Sequence, residues 1–169
     1  MKISDNSQNK VRKIVNPYAK TEGYNCFGCS PDNKQGLQLE FTEEGDYLIS
    51  RWIPKNHFAG YKSMLHGGIQ ATLMDEIGSW IVQVKLNTAG VTAKLEVRYI
   101  KSISVKEKVL TLKARIVKHV RNLAYVETEL RNEKDELCST ANLVFFLFPK
   151  EKAKNNLSYP GSESFFTKP

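Results

Sequence analysis

The alternation of apolar and polar residues predicts four strands in the second half of the chain. In residues 92–100, TAKLEVRYI, the side chains of Leu95, Val97 and Tyr99 share one face. Residues 108–120 and 123–130 alternate in the same way, and residues 136–148 are apolar on both faces towards their end, which is typical of a central strand. Polar turns separate these segments, and RNEKDE between the last two indicates a hairpin.

Before residue 90 the pattern predicts two shorter strands and one long helix. The strands are residues 37–42, LQLEFT, and 47–53, YLISRWI, joined by EEGD. Residues 64–84 are too long for a strand and contain no Lys or Arg, so we predict a helix that is covered nearly all round. The side chains expected to face the sheet are Ile69, Leu73, Ile77, Trp80 and Val84. This order of elements predicts an α+β domain with one antiparallel sheet wrapped around the helix.

The charge of the chain is concentrated at its ends. The 169 residues carry a net charge of +7, but residues 23–149 contain sixteen basic and fourteen acidic side chains. We therefore expect one domain at 23–149, with polar basic tails at 1–22 and 150–169 that are solvated and add little beyond solubility. Nucleic-acid binding is not expected, because the excess positive charge does not belong to the central domain.

The sequence favours a cytoplasmic protein with reduced thiols. Its first sixteen residues lack the apolar region of a secretory signal, and no segment is long and apolar enough to span a membrane. The three cysteines are an odd number in a chain without such a signal.

The start of the predicted helix, HGGIQATLMDE at residues 66–76, combines two glycines with a carboxylate two turns later. Gly67 and Gly68 would leave backbone N–H groups bare at the positive end of the helix dipole, where an oxyanion can bind. Asp75 is expected opposite the sheet-packing face, and Glu76 about 100° away at a polar edge. The neighbours expected around Asp75 are Gly68, Ala71, Thr72, Gly78, Ser79 and Val82. Two simpler readings remain, an Asp75 that is solvated or bonded to a hydroxyl and a glycine pair that only forms a turn.

Cys26 and Cys29 have the spacing of half a zinc site or of a redox pair. No second pair of cysteines or histidines follows at ligand spacing, and the three histidines are not clustered. We therefore expect a structural turn here and no metal.

Three segments resemble one known family. HGGIQATLMDE is similar to the signature of the hotdog-fold acyl-CoA thioesterases of the phenylacetate-pathway type and related members. VTAKLEVRYIKSI, residues 91–103, resembles the strand that follows the helix in that superfamily. CFGCSPDNKQGLQLEF, residues 26–41, resembles an upstream segment found in one subgroup. Together the matches span about 26–148.

The resemblance implies a hotdog fold and hydrolysis of an acyl-CoA thioester without a cofactor, since coenzyme A is part of the substrate. Asp75 matches the catalytic carboxylate, which acts as general base on water or as nucleophile. Gly67 matches the glycine whose N–H polarises the thioester carbonyl, and Thr92 a hydroxyl that helps to orient water. His66 and Gly68 would lie against the substrate, with His66 chiefly bonding the loop before the helix.

The resemblance also implies a homodimer or a dimer of dimers, with the site and the coenzyme A arm at the subunit interface. Some relatives carry a Gln or Asn in the loop before the two glycines, but here that loop reads HFAGYKSML. The alternative function is a non-catalytic acyl-CoA-binding or regulatory hotdog protein. A regulator would be expected to carry a DNA-binding segment, and residues 1–25 are too short and too sparsely apolar for a helix-turn-helix.

Overall fold

The computed structural model describes residues 11–167, which form seven strands and two α-helices. The helices are α1 (Gly67–Lys85) and α2 (Lys150–Leu157), and short 3₁₀ helices lie at Asn56–Phe58 and Ser162–Phe165. The strands are β1 (Val11–Lys13), β2 (Thr42–Glu44), β3 (Tyr47–Trp52), β4 (Gly90–Tyr99), β5 (Leu110–Val120), β6 (Leu123–Arg131) and β7 (Leu137–Leu147).

All seven strands form one antiparallel sheet in the order β1-β2-β3-β5-β6-β7-β4. Helix α1 lies across strands β3 to β7 and is the only long helix among residues 11–167. The predicted α+β architecture, one antiparallel sheet packed around one long helix, is therefore confirmed. Strand β4 follows α1 directly in sequence and forms the edge of the sheet beside β7.

The sheet-facing side of α1 is close to the prediction. Leu73, Ile77, Trp80 and Val84 are buried, and Ile69 is partly buried. Gly78 and Val82 were expected on the open face around Asp75, but both are buried, so that part of the prediction is wrong. A Cβ on Gly78 would lie 3.3 Å from the side chains of Leu143 and Phe145. Gly78 therefore allows the sheet to approach the helix closely, and Val82 is only 1% exposed.

The predicted strand at residues 37–42 is wrong for most of its length, because only Thr42–Glu44 joins the sheet. Its alternation is real, since Leu37, Leu39 and Phe41 are all buried. Leu37 and Leu39 donate backbone hydrogen bonds to Phe27 and Gly28 instead of to a strand. The segment is an extended cover over the core, and its pattern of burial does not distinguish it from a strand.

The expectation of solvated tails is wrong for the described parts of both ends. Phe165 is fully buried and meets Trp80 of α1 edge to face, with ring centroids 5.3 Å apart. The Tyr159 hydroxyl donates to the carbonyl of Gln83 over 2.7 Å, and the Val15 amide donates to the carbonyl of Phe165 over 2.9 Å. The two ends thus close over the last turns of α1, because their few large aromatic side chains have apolar surface to bury there. Residues 1–10 and 168–169 lie outside the described residues.

Within residues 11–167, neither helix has the length and apolar character that a membrane crossing requires.

Candidate active site

The first turn of α1 presents one backbone N–H group that is free for a ligand. His66 caps the helix, and its Nδ1 accepts a hydrogen bond from the Gly68 amide over 2.9 Å. The amides of Ile69 and Gln70 donate to the His66 carbonyl. In the described part of the chain the Gly67 N–H has no acceptor. Gly67 is therefore the position at which the helix has a backbone donor left for an anionic ligand, and its role towards an oxyanion stays a prediction.

The capping bond also decides what His66 and Gly68 do in this chain. Nδ1 of His66 is an acceptor, so a neutral imidazole carries its proton on Nε2. Because the Gly68 amide already has that partner, it does not add a second free donor beside Gly67. The expected loop-bonding role of His66 takes the form of a helix cap.

Asp75 and Thr92 lie together two turns beyond the helix start. Thr92 Oγ1 donates a hydrogen bond to Oδ1 of Asp75 over 2.8 Å. Burial raises the pKa of Asp75 above its usual range, and the Thr92 hydrogen bond acts against that shift. No Lys, Arg or His of residues 11–167 forms an ion pair with Asp75. A carboxylate held by one hydroxyl and lacking a cationic partner keeps lone pairs available for water.

An irregularity in β4 sets the position of Thr92. The pairing of β4 with β7 shifts register between Thr92 and Lys94, so that Ala93 is the extra residue of a bulge. A bulge locally bends a strand and redirects the side chains beside it. Here the redirected residue is the partner of Asp75.

Tyr99 also contacts the start of α1, although the sequence predicted only that it lies on one face of a strand. Its hydroxyl donates to the carbonyl of Gly67 over 2.7 Å, and a Cβ on Gly67 would lie 3.3 Å from the same phenol. Tyr99 therefore fixes the peptide plane next to the free Gly67 amide and would have to shift by a few tenths of an ångström to admit a side chain there. Only the Y of the strand motif VTAKLEVRYI hinted at it in the sequence.

A cavity of about 700 Å³ opens at the start of α1. Gln70, a buried side chain on its wall, accepts from Ser139 Oγ and donates to the Leu65 carbonyl, so it holds the loop and the sheet together. Both ends of this side-chain amide are therefore already bonded. Other residues around the cavity are Gly60, Tyr61, Met64, His66, Gly67, Tyr99 and Lys101.

The sequence predicted Glu76 at a polar edge, and this prediction is wrong because its side chain turns inward. Its Oε1 accepts from Trp80 Nε1 over 3.0 Å and lies 3.6 Å from Cys26 Sγ. Burial raises the pKa of Glu76 to about 7. The neighbouring carboxylates Asp75 and Glu76 thus lie in different environments. Asp75 contacts β4, and Glu76 contacts the loop that carries Cys26.

Comparison with known proteins agrees with this geometry. The family model described as the thioesterase superfamily matches residues 63–139, which include α1 and β4. A protein of Sulfurisphaera tokodaii named "Putative esterase" is 31% identical over 112 residues, which cover 66% of this chain and 82% of that protein. The chain belongs to the thioesterase superfamily. Thioester hydrolysis is thereby supported as its general type of reaction.

Solved structures extend the comparison to the fold of this superfamily member. A Streptococcus mutans protein bound to acetyl-CoA superposes with a TM-score of 0.63 at 20% identity, over 78% of this chain and 98% of that one. A hypothetical thioesterase of Streptococcus pneumoniae with coenzyme A gives 0.59 at 24% identity, over 62% and 83% of the two chains. The hotdog fold expected from the resemblance is confirmed.

Proposed function

We propose that the protein hydrolyses acyl-CoA thioesters to the free acid and coenzyme A. One observation carries the proposal: Asp75 of α1 is partly buried and held by Thr92 of β4, and the Gly67 amide at the start of the same helix is free. Acyl transfer to water requires a group that activates water and a donor that stabilises the oxyanion. Asp75 and Gly67 are groups of these two kinds.

In the proposed reaction Asp75 takes a proton from a water molecule while the water oxygen attacks the thioester carbon. The carbonyl oxygen becomes an oxyanion and accepts a hydrogen bond from a Gly67 N–H. In the proposed dimer this amide comes from the second copy, because Gly67 and Asp75 lie about 12 Å apart along one helix. Collapse of this intermediate breaks the C–S bond, and the coenzyme A thiolate takes up the proton that Asp75 held. Direct attack by Asp75 on the thioester carbon is the other route open to the same carboxylate. Thr92 orients Asp75 in either case, and neither route uses a cofactor.

The coenzyme A part of the proposal rests on two supports. The similar proteins of S. pneumoniae and S. mutans were solved with coenzyme A and acetyl-CoA. The cavity of about 700 Å³ next to Gly67 has the size of small-molecule sites and is lined by Lys101 and Tyr61 among other residues. Lys101 pairs with Glu136 over 2.5 Å, and a phosphate group would have to share or replace that carboxylate to use its charge.

The proposed active form is a homodimer or a dimer of dimers joined through β4. This ten-residue strand bonds β7 on one side and is the last strand of the sheet on the other. Val91, Leu95, Tyr99 and Ile100 are each 37–53% exposed. A long edge strand with apolar side chains is a template for pairing with another chain. A second copy on β4 would also enclose Thr92 and Asp75, and would keep bulk water from the reaction.

A thiol-release screen tests this function. Purified protein is mixed with short, medium, long and aryl acyl-CoAs, and free thiol is followed with a chromogenic reagent. We expect turnover with at least one class and none with the Asp75→Asn variant. Equilibrium binding of acyl-CoA without thiol release across the whole set would contradict the proposal and favour a non-catalytic acyl-CoA-binding protein.

A further inference from the structure

The fold adds a third potential ligand to the cysteine pair that the sequence showed only as half a site. Cys26 and Cys29 are both free thiols, and the Glu76 carboxylate of α1 lies beside them. One ligand atom from each residue falls within 4.8 Å of the other two. Glu76 is fifty residues away in sequence, so no spacing rule could include it.

We infer that Cys26, Cys29 and Glu76 bind a zinc ion that fastens the cysteine loop to helix α1. With Zn–S bonds of about 2.3 Å and Zn–O bonds of about 2.1 Å, neighbouring tetrahedral ligands lie about 3.6 Å apart. Cys26 Sγ lies 3.6 Å from Oε1 of Glu76. Two sulfur ligands favour zinc over magnesium or calcium, which prefer oxygen.

The loop has the local geometry that positions a thiolate ligand. The Ser30 amide donates to the Cys26 carbonyl over 3.1 Å, which closes a turn that brings Cys29 back towards Cys26. A Cβ on Gly28 would lie 2.4 Å from the Glu76 carboxylate, so with Glu76 in its present position the glycine lets the loop and the helix approach closely. This approach delivers a carboxylate to a pair of thiols, an arrangement that apolar packing alone does not require.

The groups around the three residues act as outer partners. Trp80 Nε1 donates to the Glu76 carboxylate over 3.0 Å, and the Tyr24 hydroxyl lies 2.9 Å from Cys29 Sγ. Asn16 in turn donates to the Tyr24 oxygen over 3.2 Å. Such hydrogen bonds orient metal ligands and are part of a metal site.

Charge and access are consistent with a cation. No Lys, Arg or His forms an ion pair with Glu76 in residues 11–167. A cavity of about 430 Å³ that includes Glu22 and Ser79 opens onto the cluster. It provides a path for the ion and space for a water molecule as the fourth ligand. Binding would release the two thiol protons to solvent and change no oxidation state.

Cobalt titration of the full chain tests the site, because Co²⁺ substitutes for Zn²⁺ and its complexes with thiolates absorb visibly. Protein stripped with a chelator and kept reduced should bind one Co²⁺ per chain with a thiolate-to-cobalt charge-transfer band. Zinc should abolish that band by displacement. Protein purified without a chelator should contain about one zinc per chain by elemental analysis. The chelator should lower the temperature of thermal unfolding, since the ion binds the folded loop and helix together.

Matched variants separate this cluster from other thiols and carboxylates. Cys26→Ser and Cys29→Ser should each lose the charge-transfer band, whereas Cys138→Ser, a buried thiol on β7, should keep it. Glu76→Gln should weaken metal binding by more than the roughly 10–100-fold that loss of an outer partner costs. Glu22→Gln removes a carboxylate from the same cavity and should leave the affinity unchanged.

Failure of the wild-type protein to bind Co²⁺ or Zn²⁺ at micromolar concentration would overturn the zinc site, whether or not the variants fold. A band that survives in Cys26→Ser and Cys29→Ser would place the metal elsewhere and overturn it too. A mass lower by two hydrogens in protein purified without a reductant, together with no cobalt band after reduction, would show a disulfide-forming pair instead and overturn the zinc site.

Discussion

Thr92 Oγ1 donates a hydrogen bond to Oδ1 of Asp75 over 2.8 Å, and the two residues come from the edge strand β4 and from helix α1. Thr92→Val keeps the shape of the side chain and removes the donor. We expect a clear loss of kcat with little change in KM, because the carboxylate is oriented less well but the substrate cavity is intact. Thr92→Ser retains the hydroxyl and should restore most of the rate. Equal losses in Thr92→Val and Thr92→Ser, measured by thiol release, would mean that the methyl group and not the hydrogen bond matters.

Tyr99 should position the Gly67 amide through the Gly67 carbonyl. Tyr99→Phe removes the 2.7 Å hydrogen bond and leaves the ring in place, so we expect kcat to fall, by less than the roughly 10²–10³-fold that follows loss of an oxyanion donor itself. Tyr61→Phe is the control, since Tyr61 borders the same cavity, is 82% exposed and has no hydrogen bond to the helix. If both phenylalanine variants lose the same activity, Tyr99 acts through the cavity wall and not through Gly67.

His66 should act as a helix cap more than as a contact to substrate. His66→Ala leaves the Gly68 amide without its acceptor and should lower the free energy of unfolding by about 1 kcal/mol. His66→Asn supplies another capping acceptor and should recover most of that stability and most of the activity. An Asn variant that is as stable as wild type but inactive would show that the imidazole itself contacts the reacting groups.

The described ends of the chain should contribute to stability. Phe165→Ala removes a fully buried ring from beside Trp80, so we expect a loss of about 3–5 kcal/mol in the free energy of unfolding by urea. Phe166→Ala, which truncates the partly buried neighbour, should cost clearly less. Equal and small losses from the two substitutions would restore the expectation of a solvated C-terminal end.

The sequence predicted the elements that bury one face regularly. The periodicity of α1, β5 and β6 matches the observed burial because these elements pack on one core. Residues 37–41 have the same alternation without forming a strand, since burial pattern does not report the hydrogen-bond partner. The C-terminal aromatic residues gave no periodic signal because they stand in a polar, irregular segment.

The candidate site was predictable where its residues lie in one motif. Gly67 and Asp75 are two turns apart on one helix, and the family resemblance added Thr92. The hydrogen bond between Thr92 and Asp75 depends on the β4 bulge, and no residue pattern indicated that bulge. The inward turn of Glu76 depends on contact with a loop fifty residues earlier, so helical geometry alone placed that side chain wrongly.

The central claim is that Asp75 performs the chemistry, and the most direct measurement is kcat/KM for thioester hydrolysis by Asp75→Asn. Asparagine keeps the size of the side chain but cannot accept the proton from water. We predict a fall of about 10²–10⁴-fold, with unfolding temperature and oligomeric mass unchanged. Asp46→Asn, the same substitution at the exposed turn before β3, should keep the wild-type rate. An Asp75→Asn protein that is folded and hydrolyses acyl-CoA within a few-fold of the wild-type rate would contradict the account.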